Sequence, residues 1–235
     1  MNIILIEKEE SSFSALDERY IHIKKVLALK NGDSFKCGII NGEEGRATIT
    51  NFDEKKIDFL FKGERDGSSL YPLTLIVAQT RPICMKRILR EAVSLGVKKL
   101  ILPISDKGEK SYRNSSFYTS GEYYETMKDG AMQAGHTGIS EIIVGCTVEE
   151  AIEETVADCL LLLDNVIGAE SLSSLSLEGK SVALAIGPER GWSEKERELF
   201  LSSSYVPTLI GNRILRTETC VSASVSVALS RMGLI

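Results

Sequence analysis

Residues 186–192 read Ile-Gly-Pro-Glu-Arg-Gly-Trp, and residues 209–219 read Leu-Ile-Gly-Asn-Arg-Ile-Leu-Arg-Thr-Glu-Thr. Each segment holds a glycine-bearing turn that is entered from a strand-like apolar run and leads toward a helix. Turns of this kind place many backbone N–H and C=O groups beside a ligand. The two segments therefore predict a binding site that is built mainly from backbone.

The chain around these segments alternates between strand-like and helix-like patterns from residue 73 onward. Strands are predicted at residues 73–79, 98–103, 141–145, 159–163, 181–186 and 206–210. Helices are predicted at residues 83–95, 117–134, 148–156, 193–203 and 217–232. This alternation predicts an α/β fold with a parallel sheet and flanking helices. Because ligands of such sheets bind at the carboxyl ends of strands, we expect the site where the chain leaves residues 163, 186 and 210.

The first seventy residues follow a different pattern, with short β-like runs between turn signals. Strands are predicted at residues 3–6, 34–40, 46–51 and 57–62, and one helix at about residues 17–29. This pattern predicts a small, partly closed β-barrel. A polar, glycine-bearing stretch at residues 63–69 predicts a linker, so we divide the chain into domains at residues 1–70 and 71–235.

Composition narrows the class of protein. The chain has 235 residues, of which 43% are hydrophobic, enough to fill the cores of one large or two modest domains. The longest apolar run is far too short to span a bilayer, and no signal peptide is evident. Five cysteines are scattered without a Cys-x-x-Cys pair, and there are only two histidines. We therefore expect a cytoplasmic protein with reduced thiols, no membrane anchor and no metal site.

Charge is distributed unevenly along the chain. The formal net charge is −5, which by itself argues against a nucleic-acid ligand. Residues 81–113, however, carry nine basic and three acidic side chains, whereas residues 114–204 carry five basic and sixteen acidic ones. Such asymmetry allows a basic face on an acidic protein, and the alternative is a set of ordinary solvated helix faces.

The two glycine-bearing segments resemble the cofactor-binding loops of the RsmE family, SPOUT-superfamily enzymes that methylate N3 of a uridine in small-subunit ribosomal RNA. The family's usual forms are Ile-Gly-Pro-Glu-Gly-Gly and Leu-Gly-x-Arg-Ile-Leu-Arg-x-Glu-Thr. This chain keeps nearly all of the second and departs from the first at Arg190. The resemblance implies a SPOUT domain with a deep trefoil knot, preceded by a PUA-like β-barrel. It also implies S-adenosylmethionine as cofactor, ribosomal RNA or the small subunit as substrate, and a homodimer.

The resemblance assigns the cofactor to the two loops and to apolar walls beside them. Glu189 would repel a phosphate, whereas the sulfonium of S-adenosylmethionine is cationic and its adenine needs hydrogen bonds and an apolar slot. The predicted cofactor-binding residues are Leu162, Leu163, Ile186, Gly187, Pro188, Glu189, Gly191, Ile210, Gly211, Ile214, Leu215 and Thr219.

Arg216 and Glu218 are the predicted catalytic residues. A guanidinium near the acceptor can stabilise negative charge that develops on the uracil oxygens. The proton on uracil N3 must leave, and Glu218 or Glu189 could accept it. A surface pair at a helix start is the structural alternative for Arg216 and Glu218.

Basic side chains of both domains are predicted to contact RNA. Residues 19–33 are similar to the family's His-x-x-x-Val-Leu-Arg-Leu-x-x-Gly-Asp segment, with Ala28 where arginine is common. In the helix at residues 83–95, the spacing of apolar residues places the basic side chains on the solvent-facing side, as expected of an RNA-facing surface. The predicted RNA-binding residues are Arg19, His22, Lys24, Lys25, Lys86, Arg87, Arg90 and Arg213.

The residues and the resemblance together predict an S-adenosylmethionine-dependent methyltransferase that acts on N3 of a uridine in 16S ribosomal RNA. A SPOUT enzyme acting on another RNA position is the first alternative, suggested by Ala28, His136 and Arg190. A non-catalytic RNA-binding relative is the second. The apolar positions Val221, Val225, Ala228 and Leu229 of the terminal helix form the predicted dimer interface.

Overall fold

The computed structural model describes residues 2–235 and divides into two compact units. The first unit comprises the chain up to Ser69 together with Ala131–Ile139, and the second comprises Leu70–Gly130 and Ser140–Ile235. The later segment is tied to the first unit by hydrogen bonds: Lys36 Nζ donates to Gly135 O at 2.9 Å, and Asn41 N to Thr137 O at 2.9 Å. The sequence pattern does not reveal this return of the chain.

The first unit is a five-stranded sheet with one helix. Its elements are β1 (Ile4–Ile6), β2 (Ser12–Ser14), α1 (Glu18–Lys25), β3 (Ser34–Ile39), β4 (Glu43–Phe52) and β5 (Lys56–Asp66). The strand order is β1-β3-β4-β5-β2, with β1 parallel to β3 and the other pairs antiparallel. The helix ends at Lys25, earlier than expected, and Ala28 just beyond it has a left-handed backbone with φ of 51°.

The second unit is a seven-stranded parallel sheet with flanking helices, which confirms the predicted α/β class. Its strands are β6 (Tyr71–Val77), β7 (Val97–Leu102), β8 (Glu141–Val144), β9 (Cys159–Leu163), β10 (Glu170–Ser171), β11 (Val182–Ile186) and β12 (Val206–Leu209). Its helices are α2 (Pro82–Ser94), α3 (Ser116–Thr119), α4 (Glu122–Ala134, which continues into the first unit), α5 (Val148–Glu153), α6 (Glu194–Ser202) and α7 (Thr217–Arg231). The single helix expected at residues 117–134 is wrong, because Gly121, with φ of 78°, separates α3 from α4.

The order of the strands brings the ends of three of them together. The sheet runs β10-β12-β9-β11-β6-β7-β8, so β9 lies between β12 and β11. In this register Leu163, the last residue of β9, is paired with Ile186 and with Thr208. The three carboxyl ends are therefore level, and the loops that follow them leave the sheet at one edge.

Helix α7 packs inside its own unit, against α2 and β11. Val221, Val225, Ala228 and Leu229 are all fully buried there. The expectation that these four side chains form a dimer interface is therefore wrong, because they already serve as core of a single chain. Among residues 2–235, no helix combines the length and apolarity needed to cross a membrane.

Glu196 joins the start of α6 to the segment after β7. It is buried, and its carboxylate accepts hydrogen bonds from Ser193 N at 2.7 Å, Asp106 N at 2.8 Å and Ser105 Oγ at 3.2 Å. Ser193 Oγ in turn accepts from Glu196 N at 3.1 Å, which completes a capping box at the start of α6. One carboxylate thus satisfies donors from two separate stretches of chain.

We expect Glu196→Ala to lower the free energy of unfolding by about 2–3 kcal/mol, because it leaves three donors without their charged acceptor. Urea denaturation of the purified chain measures this change. Glu198→Ala is the matched control, since Glu198 is exposed on the same helix, and it should cost less than about 0.5 kcal/mol. Equal losses in the two variants would contradict the role given to Glu196.

Candidate active site

A cavity of about 740 Å³ lies at the carboxyl ends of β9, β11 and β12, within the second unit. Three loops surround it, which we call the first loop (residues 163–168), the second loop (residues 186–192) and the third loop (residues 209–216). The start of α7 and the start of α2 complete the wall. The structure therefore brings together the three strand ends singled out in the sequence.

The second loop is a tight turn whose shape depends on two glycines. Gly191 N donates to Pro188 O at 2.8 Å, and Gly191 has φ of 68°, in the left-handed region that disfavours side chains. A Cβ on Gly187 would lie 3.0 Å from Trp192 N, so a side chain at this position would crowd the backbone of the turn. Arg190 lies outside the left-handed region and is exposed. The departure from the family pattern at Arg190 is therefore compatible with the turn.

The third loop has an unpaired backbone. No hydrogen bond within residues 2–235 involves an N–H or C=O group of residues 210–215. These residues are exposed or half-buried, and five of the six line the cavity, so their backbone groups are available to bind a polar ligand or ordered water there. The second loop adds further unpaired groups at Glu189 and Arg190. Ile186 O is engaged, since it accepts from Ala78 N at 3.1 Å.

The apolar lining differs in part from the prediction. Leu163 and Leu215 line the cavity, and Ile214 does so with a side chain that is 85% exposed. Leu162 does not line it, because alternate side chains of a strand point to opposite faces and this one is fully buried in the core. Thr219 is also outside the lining and is exposed on the first turn of α7.

The other predicted cofactor residues all line the cavity: Ile186, Gly187, Pro188, Glu189, Gly191, Ile210 and Gly211. The predicted catalytic pair, Arg216 and Glu218, lines it as well, with Arg216 at the N-cap of α7 and Glu218 in the first turn. These placements bring the cofactor and catalytic candidates to one cavity.

Acidic groups meet at the start of α2. Cys84 Sγ lies 3.9 Å from Glu218 Oε1. Burial raises the pKa of the Cys84 thiol, and the negative charges of Glu218 and Glu189 raise it further. Burial also raises the pKa of Cys220, another lining residue, to about 11. Both thiols are therefore protonated near neutral pH, and neither is suited to act as a nucleophile.

Several lining residues were not foreseen from the sequence. Arg81 and Cys84 belong to the loop and helix that follow β6, the neighbour of β11, and Arg81 Nε donates to Tyr112 OH at 3.0 Å. The strand-end rule could have pointed to them once β6 was known to adjoin β11. Asp164 and Arg197 form an ion pair at 2.8 Å in the lining. No sequence signal links these two, because they lie on separate elements.

The predicted RNA-binding residues of the first unit differ in how free their charges are. Arg19 is held by Glu10 and Asp17, at 2.6 and 2.7 Å, and its guanidinium lies 4.1 Å from the ring centre of Phe13. Its charge is therefore largely neutralised by the protein itself. Lys24 Nζ donates to Tyr20 OH at 3.3 Å, Lys25 is exposed, and burial lowers the pKa of His22.

A similar difference exists among the predicted RNA-binding residues of the second unit. Lys86 pairs with Glu122, and Arg90 with Asp129 at 3.5 Å. Arg87 is exposed and has no partner for its guanidinium within residues 2–235. Arg213 is exposed at the cavity. Across the same residues, no group of three or more His, Cys, Asp or Glu side chains is arranged to hold a metal ion.

Comparison with known proteins connects this architecture to a family. Residues 67–229 match the model of an RNA methyltransferase domain, and residues 17–62 match that of an RNA methyltransferase PUA domain. The chain is 37% identical to ribosomal RNA small subunit methyltransferase E of Treponema pallidum, over 98% of this chain and 91% of that protein. It is 31% identical to ribosomal RNA small subunit methyltransferase E 1 of Borreliella burgdorferi, over 99% of each.

Solved structures share the fold. A Legionella pneumophila methyltransferase with bound S-adenosylmethionine superposes with a TM-score of 0.83 at 20% identity, covering 98% of this chain and 97% of that one. Ribosomal RNA small subunit methyltransferase E of Neisseria gonorrhoeae, also bound to S-adenosylmethionine, gives 0.81 at 19% identity with the same coverage. The fold is thus a SPOUT-type α/β domain preceded by a PUA-like domain. With both domain models and the full-length relatives in agreement, the chain belongs to the family of ribosomal RNA small subunit methyltransferase E.

Proposed function

We propose that this protein transfers a methyl group from S-adenosylmethionine to N3 of a uridine in 16S ribosomal RNA. Family membership supports the reaction and the substrate class. The structural observation that best supports the cofactor site is the unpaired backbone of residues 210–215, which lies beside the glycine turn of the second loop in one cavity. The trefoil knot and the division into domains at residues 1–70 and 71–235 are part of the same proposal.

The residues of the cavity fit the cofactor. The backbone of the third loop offers donors and acceptors for adenine and ribose, and Leu163 and Leu215 supply apolar contact. The carboxylates of Glu189 and Glu218 favour the positive charge of a sulfonium. When bound, S-adenosylmethionine supplies an electrophilic methyl group and leaves as S-adenosylhomocysteine. No protein nucleophile is needed, because the alignment of two substrates supplies much of the catalysis of a direct displacement.

Arg216 and Glu218 have complementary roles in this proposal. The exposed guanidinium of Arg216, at the cavity, stabilises the negative charge that the uracil oxygens gain when N3 loses its proton. Glu218 accepts that proton, since its carboxylate is half-buried at the start of α7 and lines the cavity. Glu189, which is exposed, is the alternative acceptor. The first hydrogen bond of α7 runs from Cys220 N to Arg216 O. It ties the backbone of Arg216 to the helix turn that carries Glu218, so both catalytic candidates lie on one rigid helix end.

The RNA partner and the assembly belong to the proposal too. Lys25 of the first unit and Arg87 and Arg213 of the second are exposed cations that can meet RNA phosphates. Lys24 and His22 contribute beside Lys25, whereas Arg19, Lys86 and Arg90 have part of their charge engaged by acidic neighbours. The protein works in the cytoplasm as a homodimer, on free ribosomal RNA or on the small subunit, without a metal.

Incubation of the purified protein with S-adenosylmethionine and small ribosomal subunits from a strain lacking the enzyme should generate N3-methyluridine in 16S ribosomal RNA. Nucleoside mass spectrometry measures the product, and calorimetry measures cofactor binding. A methylated nucleoside of another type would favour a SPOUT enzyme for a different position. Cofactor binding absent at millimolar concentration would favour a non-catalytic RNA-binding relative.

Arg216→Ala should reduce turnover by about 100-fold and change cofactor affinity by less than threefold, because the lost interaction forms mainly as charge develops on the uracil. Single-turnover methylation and calorimetry with S-adenosylhomocysteine separate the two effects. Arg231→Ala is the control, since Arg231 is at the other end of α7 and outside the cavity lining. A parallel loss of affinity and turnover would place Arg216 on the cofactor instead.

Arg87→Ala should lower the salt dependence of RNA binding by about 0.7 in the slope of log K against log[salt], the value for one phosphate contact on a single strand. Lys86→Ala and Arg90→Ala should lower it less, because each of these cations is already paired. Fluorescence anisotropy over a range of salt concentrations measures the slopes. Three equal slopes would show that the intramolecular pairs do not limit RNA contact.

A further inference from the structure

One arginine of the cavity differs from the others. Arg81, Arg190, Arg213 and Arg216 are exposed, as expected of groups that meet a large substrate. The side chain of Arg197 is only 12% exposed, although it also lines the cavity. A guanidinium that is largely removed from water is costly unless its donors are used. The partners of the Arg197 guanidinium, and the donors that have none, therefore indicate which ligand group it binds.

Asp164 fixes the position of this guanidinium. Its side chain is 2% exposed, and its Oδ2 accepts from Arg197 Nε at 2.8 Å. Its Oδ1 accepts from Val166 N at 2.8 Å and Ile167 N at 3.3 Å, so the carboxylate is itself held by the first loop. The pair thus joins α6 to the end of β9 and leaves Arg197 little rotational freedom.

The remaining donors of Arg197 are unused. Neither Nη atom has a hydrogen-bond partner within residues 2–235, and neither is sealed from solvent. Because Arg197 lines the cavity, its accessible edge opens into that space. A Cβ on Gly191 would lie 3.6 Å from Nη2, so the guanidinium lies beneath the turn of the second loop. A planar pair of Nη donors has the geometry that a carboxylate accepts in a bidentate manner.

We propose that Arg197 binds the carboxylate of the amino-acid portion of S-adenosylmethionine. This inference rests on the proposed function, since it names the residue that binds the amino-acid end of the cofactor. The cofactor has a single carboxylate, and Arg197 is the buried cation of the cavity, whereas the exposed arginines are better placed for RNA phosphates. Asp164 acts as a positioning residue: it orients the guanidinium and keeps the buried pair neutral before the cofactor enters.

Two ligands that differ by this group test the proposal. S-adenosylhomocysteine carries the amino-acid portion, and 5′-methylthioadenosine keeps the adenine, ribose and thioether without it. In calorimetry, Arg197→Met should weaken S-adenosylhomocysteine binding by about 10- to 100-fold, the equivalent of one or two charge-assisted hydrogen bonds. Binding of 5′-methylthioadenosine should change by less than twofold.

Two further variants control for charge and for folding. Lys195→Met removes a cation from an exposed position on α6, outside the cavity, and should leave both affinities unchanged. Arg197→Lys keeps the charge and most of the packing but loses the planar fork, so it should weaken S-adenosylhomocysteine alone, by about five- to tenfold. Thermal unfolding of each variant shows whether its fold is intact, and Arg197→Lys keeps the proposal testable if Arg197→Met does not fold.

The outcomes separate this inference from the proposed function. If the unaltered protein binds neither ligand, the cofactor assignment fails, and this inference fails with it. The second contrary outcome is that the unaltered protein binds both ligands while the Arg197 variants lose affinity for both equally, or for neither. In that case the proposed function stands, and the ion pair with Asp164 only stabilises the packing of α6 against the first loop.

Discussion

The placement of β9 between β12 and β11 is the constraint on which the rest of the site depends. Parallel pairing with Leu163 opposite both Ile186 and Thr208 forces three loops to leave the sheet at the same level. None of these loops needs to be long to reach the others. Because the strands carry the alignment, the loops can leave their backbone groups unpaired, and residues 210–215 do so. The cavity is therefore a consequence of strand order more than of any one side chain.

Much of this architecture could be predicted because it depends on local pattern. The alternation of apolar runs and amphipathic segments identified most strands and helices of the sheet domain, and the strand-end rule located the site. The break at Gly121, the two-residue strand β10 and the return of residues 131–139 to the first unit could not be predicted. The strand and the return depend on contacts between distant parts of the chain, which periodicity does not record. The break at Gly121 is local and comes from its left-handed backbone, which an apolar pattern does not show either. Leu162 was misplaced for a simpler reason, since a continuous apolar run conceals which face each side chain takes.

Charge was harder to interpret from sequence than apolar pattern. Counting cations in residues 81–113 gives a basic segment, yet two of the three predicted RNA contacts on α2 are partly neutralised by Glu122 and Asp129. Arg19 is similarly engaged by Glu10 and Asp17. Pairing depends on which side chains meet in space, so a sequence count sets only an upper bound on the charge available to RNA. Cations without an acidic partner, such as Arg87, are therefore expected to contribute more to RNA binding than the number of basic residues in the segment indicates.

A site made from backbone also explains why the chain tolerates Arg190 where the family has glycine. The left-handed residue of the turn is Gly191, and the close approach is at Gly187, whereas Arg190 lies outside the left-handed region and is exposed. Side chains at the rim are thereby free to vary while the backbone surface is kept. Groups that enter the interior have no such freedom, because a charge taken from water needs a partner in the protein and another in the ligand. Asp164 and Arg197 meet the first requirement, and in our proposal the carboxylate of the cofactor meets the second.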